Sequence, residues 1–397
     1  MADNLSPEKI NPTSRKVDAL GFSKIRDMMG KVDRARRRGV HITNFSIGRP
    51  DFDTPPHIKE ATKKALDDGK VHYTGSAGIL ELREAVCRRL MQDFQVTCDP
   101  EEIVISTGAT EAIYIALQAI LNPGDEVIVP QPMYVYYNGW ASLADAAFVN
   151  VPLLDSDNFL LKSEAVEKTI TPRTKALILN SPHNPTGQVF EREDILKLAE
   201  LAVRHDFLVI ADDIYSHMLY DDAAHFNIAR APGMKERTII IGSFSKSYAM
   251  DGWRIGYLAA PRRYIPNALK LHQHIVSCPN TFVQYGALAA LTSSQDCRIE
   301  MVARFDRRRR LMMSLLDDID LPYVRPRGAF YIFPSVKKYG LSSLEFCDLL
   351  LNKARVAVIP GTAFGPPGEG HVRFAYSTTS EEIEKGMRRV KDTLQGL

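Results

Sequence analysis

The sequence predicts an α/β protein, a mostly parallel seven-stranded sheet with helices on both faces, joined to a smaller α+β domain built from both chain ends. Between about residues 100 and 260, short apolar runs alternate with longer amphipathic stretches, as βα units require. Strands are read at 103–107 (IVIST), 125–130 (DEVIVP), 147–151, 175–180 (KALILN), 207–212 (FLVIAD), 238–243 (TIIIGS) and 254–260 (RIGYLAA). Helices are expected between them at 109–121, 132–144 and 191–205. From about 262 to 318 the chain turns helical and charged. After LPYVRPRGA come a short strand (FYIFPSV), a helix, two more strands (VAVIPG, HVRFAYS) and a terminal helix. Residues 1–50 lack the βα pattern and end in the apolar-to-turn stretch NFSIGRPDFDTPP, so they are assigned to the smaller domain. The expected division is 1–50 and 291–397 for the smaller domain and 51–290 for the larger one.

Composition narrows the function. The 397 residues suit two or three domains, and 45 % apolar with 25 % charged residues excludes disorder, collagen and coiled coil. Fifty basic against 48 acidic side chains leave a net charge of +2, too balanced to point to nucleic acid or an anionic membrane. The five cysteines (Cys87, Cys98, Cys278, Cys297, Cys347) are scattered, which argues against a disulfide framework or a zinc motif and suits the cytoplasm. The N-terminal stretch has no apolar core of a signal peptide, and no run is long enough to span a membrane, so a soluble protein is expected. The basic clusters Arg34–Arg38 and Arg307–Arg310 are read as solvated helix faces because acids accompany them. His272 and His274 lie two apart on an expected helix and share no face, so no metal is expected there.

The chemistry gathers at strand ends, where open α/β sheets bind ligands. GSFSKSYAMDGWRIGY (242–257) offers Ser243, Ser245, Lys246 and Arg254, a phosphate-binding set beside an amine able to form a Schiff base. The plain alternative is that Lys246 caps the strand and the serines close a turn. Asp212 and Tyr215, in IADDIYSHMLY, end another apolar strand and would point into the same crevice. A buried acid there suits a pyridine nitrogen that must stay protonated; the plain alternative is Asp212 and Asp213 solvated together in a turn. SPHNPTG (181–187) brackets His183 and Asn184 with prolines, and STGATEAI (106–113) runs from strand to helix with small residues that expose N–H groups to an anion.

In this order the motifs resemble the pyridoxal-phosphate enzymes of fold type I, in the class I and II aminotransferase family, near the branch of bacterial aspartate aminotransferases. The similarity runs from about Asn44 to Tyr376. It implies that Lys246 holds pyridoxal 5'-phosphate as an aldimine and shuttles the substrate proton, and that Ser243, Ser245 and Arg254 bind the phosphate with the backbone of Gly108, Ala109 and Thr110. Asp212 matches the partner of the pyridinium nitrogen, Tyr215 and Asn184 the donors to the ring oxygen, and Tyr134 the ring stacked on the cofactor. Arg373 matches the arginine that grips the substrate α-carboxylate, with Asn184 and the backbone of Gly48 beside it. Tyr73 matches a tyrosine that reaches the phosphate of the neighbouring subunit, which implies a homodimer with shared sites. Read as residues alone, Arg373 could instead pair with an acid and Tyr73 could be a plain surface aromatic.

The implied reaction moves an amino group from an L-amino acid to a 2-oxo acid by a ping-pong mechanism. Relatives that take dicarboxylates through a glycine-loop lysine carry it where Thr110 stands, so a neutral, aromatic or broad specificity is expected. Tyr134, Tyr136, Tyr137 and Phe22 would accommodate a large side chain, while Arg49 and Asp251 depart from the family pattern and could tune the pocket. A lyase, cyclase or oxidase on the same scaffold is the alternative enzyme. A cofactor-binding protein without turnover is the reading from another class.

Overall fold

The computed structural model describes residues 13–18 and 20–396. The expectation of a leaderless N-terminus falls largely on residues 1–12, outside the described residues.

The central sheet has seven strands: β2 (Ile103–Ser106), β3 (Glu126–Gln131), β4 (Ala147–Pro152), β5 (Thr174–Asn180), β6 (Leu208–Asp212), β7 (Thr238–Ser243) and β8 (Gly256–Ala259). β1 (Thr43–Asn44) lies elsewhere. Their order is β2-β8-β7-β6-β5-β3-β4, parallel throughout except β8, which is antiparallel to both neighbours. Continuous apolar runs form these strands because both faces are covered. Val127, Val129, Ile178 and Ile210 pack with the helices Ala109–Ile120 and Ile265–Val276. Ile128, Leu177, Leu179 and Val209 face the opposite core, shared with Ile195, Leu198 and Ala202 of the helix Arg192–Arg204.

The other strands join the chain ends. β1 pairs in parallel with β10 (Val356–Ala357), while β11 (Ile359–Pro360), β12 (Val372–Ala375) and β9 (Tyr331–Ile332) form an antiparallel sheet in that order. Ala375 N donates to Phe45 O at 2.8 Å, which ties the first segment to the last sheet. The terminal helix Ser380–Leu394 and the helix Lys24–Arg37 bury Val390, Met387, Met28 and Val32 in the same core.

Three features differ from the sequence reading. The helix expected over 132–144 spans only Tyr137–Leu143. Met133 N is engaged by Phe364 O at 2.7 Å, so the segment before Tyr137 docks on the turn Gly361–Phe364 instead of entering the helix. Two helices precede the sheet, Pro56–Asp67 and Leu80–Phe94, burying Ile58, Thr62 and Ala65, and Leu82, Val86 and Leu90.

The third difference is the arginine run. Arg34, Arg36, Arg37 and Arg38 are exposed as expected, but Arg308 and Arg309 are buried. Arg308 forks onto Asp51 at 2.6 and 2.8 Å, and Arg309 forks onto Asp221 at 2.9 and 3.0 Å while its Nε meets Asp306 at 2.8 Å. Paired carboxylates are what allow guanidinium groups inside. No helix among the described residues is long and apolar enough to cross a membrane.

Candidate active site

The carboxyl ends of the parallel strands bring the candidate residues into one crevice. Asn180 ends β5, Asp212 ends β6, Ser243 ends β7, and Lys246 follows in the short helix Phe244–Ser247. Asn180 Nδ2 donates to Asp212 O at 2.9 Å, and its Oδ1 accepts from Asn184 N at 3.0 Å, so one side chain sets the spacing of two neighbouring loops.

Lys246 Nζ donates to Gly48 O at 2.6 Å. Burial brings its amine down to about 8; Asp251 opposes the shift, Arg373 and Arg254 add to it, and Asp212 opposes it. A lysine so placed is a weaker base than usual and a better nucleophile near neutral pH.

Asp212 is buried, with Tyr137 Oη donating to its Oδ2 and Ile214 N reaching Oδ1 at 3.4 Å. Burial raises its carboxyl to about 6 against those two bonds. The turn with two solvated acids is thereby excluded, because Asp213 is buried too and accepts from Asn227 Nδ2 at 2.5 Å. Tyr137 was legible only as a pocket aromatic; its bond to an acid 75 positions away has no sequence signal.

Arg373, on β12, is 2 % exposed. Nη1 donates to Asn184 Oδ1 at 2.9 Å and Nη2 to Ser46 O at 2.8 Å, and the guanidinium lies 4.4 Å from the Tyr331 ring centroid and 4.9 Å from that of Phe364. No carboxylate of the described residues forms an ion pair with it, and its Nε is buried without a hydrogen-bond partner. The acid partner that the sequence left open is therefore not there.

Tyr215 Oη and Tyr331 Oη share a hydrogen bond of 2.7 Å, and burial pushes both phenols up. Tyr331 was missed by sequence reading. It also explains Gly48: a Cβ there would lie 2.1 Å from Tyr331 Oη.

The anion end is built around Gly108. This residue begins the helix Ala109–Ile120 with φ +88°, and a Cβ would lie 2.6 Å from Arg254 Nη2, so glycine alone permits the approach. Having no side chain, it leaves the first-turn N–H groups of Ala109 and Thr110 uncapped by its own position. Arg254, exposed and in the left-handed region at φ +55°, is held by Asp251 O at 2.9 Å. Ser243 Oγ accepts from Ser245 N at 3.1 Å and keeps its own proton to donate. Tyr134 stands beside Tyr136, Tyr137 and Trp140, with centroids 5.4, 5.5 and 6.2 Å away. Two residues stay outside this arrangement: Tyr73 is 88 % exposed, and Phe22 is fully exposed and forms no pocket wall.

The desolvated Lys246 amine, the buried Asp212, the Gly108 helix start and the unpaired Arg373 thus border one crevice at the strand ends. The family model for aminotransferase class I and II matches residues 40–390, and the chain belongs to that family. It is 44 % identical to the aspartate aminotransferase of Pyrococcus abyssi over 357 residues, 89 % of this chain and 92 % of that one. It is 43 % identical to aromatic-amino-acid aminotransferase 2 of Thermococcus litoralis, again over 89 % and 92 %. The structure of the aspartate aminotransferase of Thermus thermophilus with maleate superposes with a TM-score of 0.92 at 38 % identity, covering 96 % of this chain and 99 % of that one. The protein is thus a pyridoxal-phosphate-dependent aminotransferase. Its residues fit that cofactor, for the Gly108 cradle beside Arg254 suits the phosphate and the Lys246 amine suits the aldehyde.

Because Asp251 favours the charged amine, Asp251→Asn will move the Lys246 titration below about 8. Labelling of the cofactor-free chain with an amine-reactive reagent over a pH series, read by peptide mass spectrometry, checks this. An unchanged or raised inflection contradicts it.

Proposed function

We propose that this enzyme transfers the amino group of a neutral or aromatic L-amino acid, with broad tolerance, to a 2-oxo acid in a ping-pong sequence. The observation that carries the reading is Arg373: a buried guanidinium without a counter-charge, two nitrogens presented as a fork, is a site for an α-carboxylate. The absence of a cationic side chain at Thr110 and the ring cluster of Tyr134, Tyr136 and Trp140 support a neutral or aromatic donor.

Bound pyridoxal phosphate supplies a pyridine ring that takes up the electron pair left when the substrate α-carbon loses its proton. Lys246 Nζ would hold the cofactor, and with the substrate amine bound in its place the same nitrogen would accept the α-proton and pass it on within the site. Its value of about 8 keeps a useful neutral fraction near pH 7. Asp212, at about 6, is mostly ionised at that pH, and its charge would hold a proton on the ring nitrogen. Tyr137 Oη orients Asp212, and Tyr215 with Asn184 would donate to the ring oxygen. Ser243, Ser245, Arg254 and the N–H groups of Gly108, Ala109 and Thr110 would hold the phosphate. Arg373, with Asn184 and Gly48 beside it, would fix the α-carboxylate so that the α-proton faces Lys246 Nζ.

Residues 51–290 would form the cofactor domain, and 1–50 with 291–397 the smaller one that brings Arg373. The exposed Tyr73 ring supports a homodimer in which each chain lends this residue to the other's phosphate site. The scattered cysteines support the cytoplasm as its location.

A single-turnover absorbance scan of the cofactor-loaded enzyme against a panel of amino acids, without oxo acid and with products weighed by mass spectrometry, tests the reaction. Pyridoxamine phosphate and the matching 2-oxo acid are expected, faster from aromatic and neutral donors than from aspartate. Faster turnover of aspartate overturns the preference; ammonia or an eliminated fragment with the cofactor unchanged overturns transamination in favour of a lyase. For the shared site, mixing Tyr73→Phe chains with Lys246→Ala chains should restore activity above that of either alone. No gain despite demonstrated subunit exchange contradicts it.

A further inference from the structure

Gly108 cannot hold its own loop, having neither a side chain nor, at φ +88° and ψ 165°, an ordinary helix-entry conformation. Glu111, in the first helical turn, does it instead. Its Oε2 accepts from Thr107 N and from Thr107 Oγ1, both at 2.6 Å, pinning the residue just before the cradle. This is a capping box displaced by one position. The carbonyl of the same Thr107 receives Arg254 Nη2 at 3.5 Å, so both walls of the anion end meet at one residue.

A carboxylate in this turn is an electrostatic liability for a phosphate site, because it competes for the helix N-terminus. The structure turns it away. Oε1 is engaged by His272 Nδ1 at 2.9 Å, from the helix Ile265–Val276 packed alongside. Burial alone would raise the Glu111 carboxyl, but His272 and Thr107 hold it below its ordinary value. His272 is 0 % exposed, and its Nε2 is buried with no hydrogen-bond partner. A buried nitrogen left unsatisfied is costly, and the bond from Nδ1 to Glu111 is what offsets that cost.

We propose that His272 and Glu111 are positioning residues for the cofactor phosphate. His272 draws the Glu111 carboxylate off the helix axis and onto Thr107, which fixes the direction of the N–H groups from Gly108 to Thr110. This rests on the reading of Gly108 and Arg254 as the phosphate end. A bond that merely joins two helices would matter to stability and not to which form of the cofactor is bound.

The test is titration of cofactor-free full-length protein with pyridoxal phosphate and, separately, with pyridoxal, which lacks the phosphate, following the absorbance of the lysine-bound form. His272→Phe should weaken pyridoxal phosphate about tenfold or more, the scale of a lost charge-assisted bond. Pyridoxal should change by no more than about twofold, as for a substitution away from its contacts. His272→Asn, which keeps an amide donor near Nδ1, should recover most of the loss, and Glu111→Gln, which keeps the acceptor for Thr107, should lie between. Should His272→Phe fail to fold, the last two variants carry the comparison. Equal weakening of both ligands, no weakening of pyridoxal phosphate, or no difference among the variants overturns the proposal. Arg254→Ala separates the two levels: if it too spares the preference for the phosphorylated form, the phosphate-end reading fails, and if it abolishes that preference while the His272 and Glu111 variants do not, the positioning role alone fails.

Discussion

A guanidinium buried without a carboxylate is the constraint around which this protein is arranged. Leaving one charge of a buried pair uncompensated destabilises by about 3 to 5 kcal/mol, so such a group persists only where the fold over-determines it. Arg373 is held by three distant parts of the chain: its own strand β12, the 181–187 turn through Asn184, and the N-terminal segment through Ser46. Tyr331 and Phe364 give it aromatic faces but no neutralising charge. Contrast Arg309, equally buried, whose nitrogens are matched by Asp221 and Asp306. One arginine is finished by the fold; the other is left open for the carboxylate proposed to complete it.

The same dry crevice shifts the two groups proposed to handle protons. Burial lowers Lys246 to about 8 and raises Asp212 to about 6, moving each toward neutrality. Water exclusion is one cause with two results: an amine that loses its proton near working pH, and an acid that is mostly ionised there yet titrates close by. A pyridinium beside Asp212 would restore its charge fully, so cofactor and acid stabilise each other's protonation state. Hydroxyl groups complete the arrangement, Tyr137 on Asp212 and Tyr331 on Tyr215.

Much of this was legible in sequence. Each central strand lies within two residues of its expected range, since a strand buried on both faces is written as an apolar run, and the chemical residues follow those runs directly. Helices Pro56–Asp67 and Leu80–Phe94 went unread although Ile58, Thr62 and Ala65, and Leu82, Val86 and Leu90, mark their buried faces. What could not be read was pairing across the chain. Tyr137 meets Asp212, Tyr331 meets Tyr215, and Arg308 meets Asp51 across 75, 116 and 257 positions, and no local pattern announces them. Arg307 and Arg310 are exposed as the run suggests, whereas Arg308 and Arg309 look solvated until Asp51 and Asp221, far away in sequence, are placed.

The claim that Arg373 is kept charged and unpaired for a carboxylate is tested most directly by thermal unfolding of the cofactor-loaded enzyme with and without a non-reacting carboxylate analogue of the substrate. A ligand that binds only the folded state raises the unfolding temperature, with a stabilisation that grows as the logarithm of its concentration over Kd. Wild type should show that rise, and Arg373→Met should lose it while retaining the absorbance of the lysine-bound cofactor. An equal rise in both proteins would contradict the account and move the carboxylate site away from Arg373.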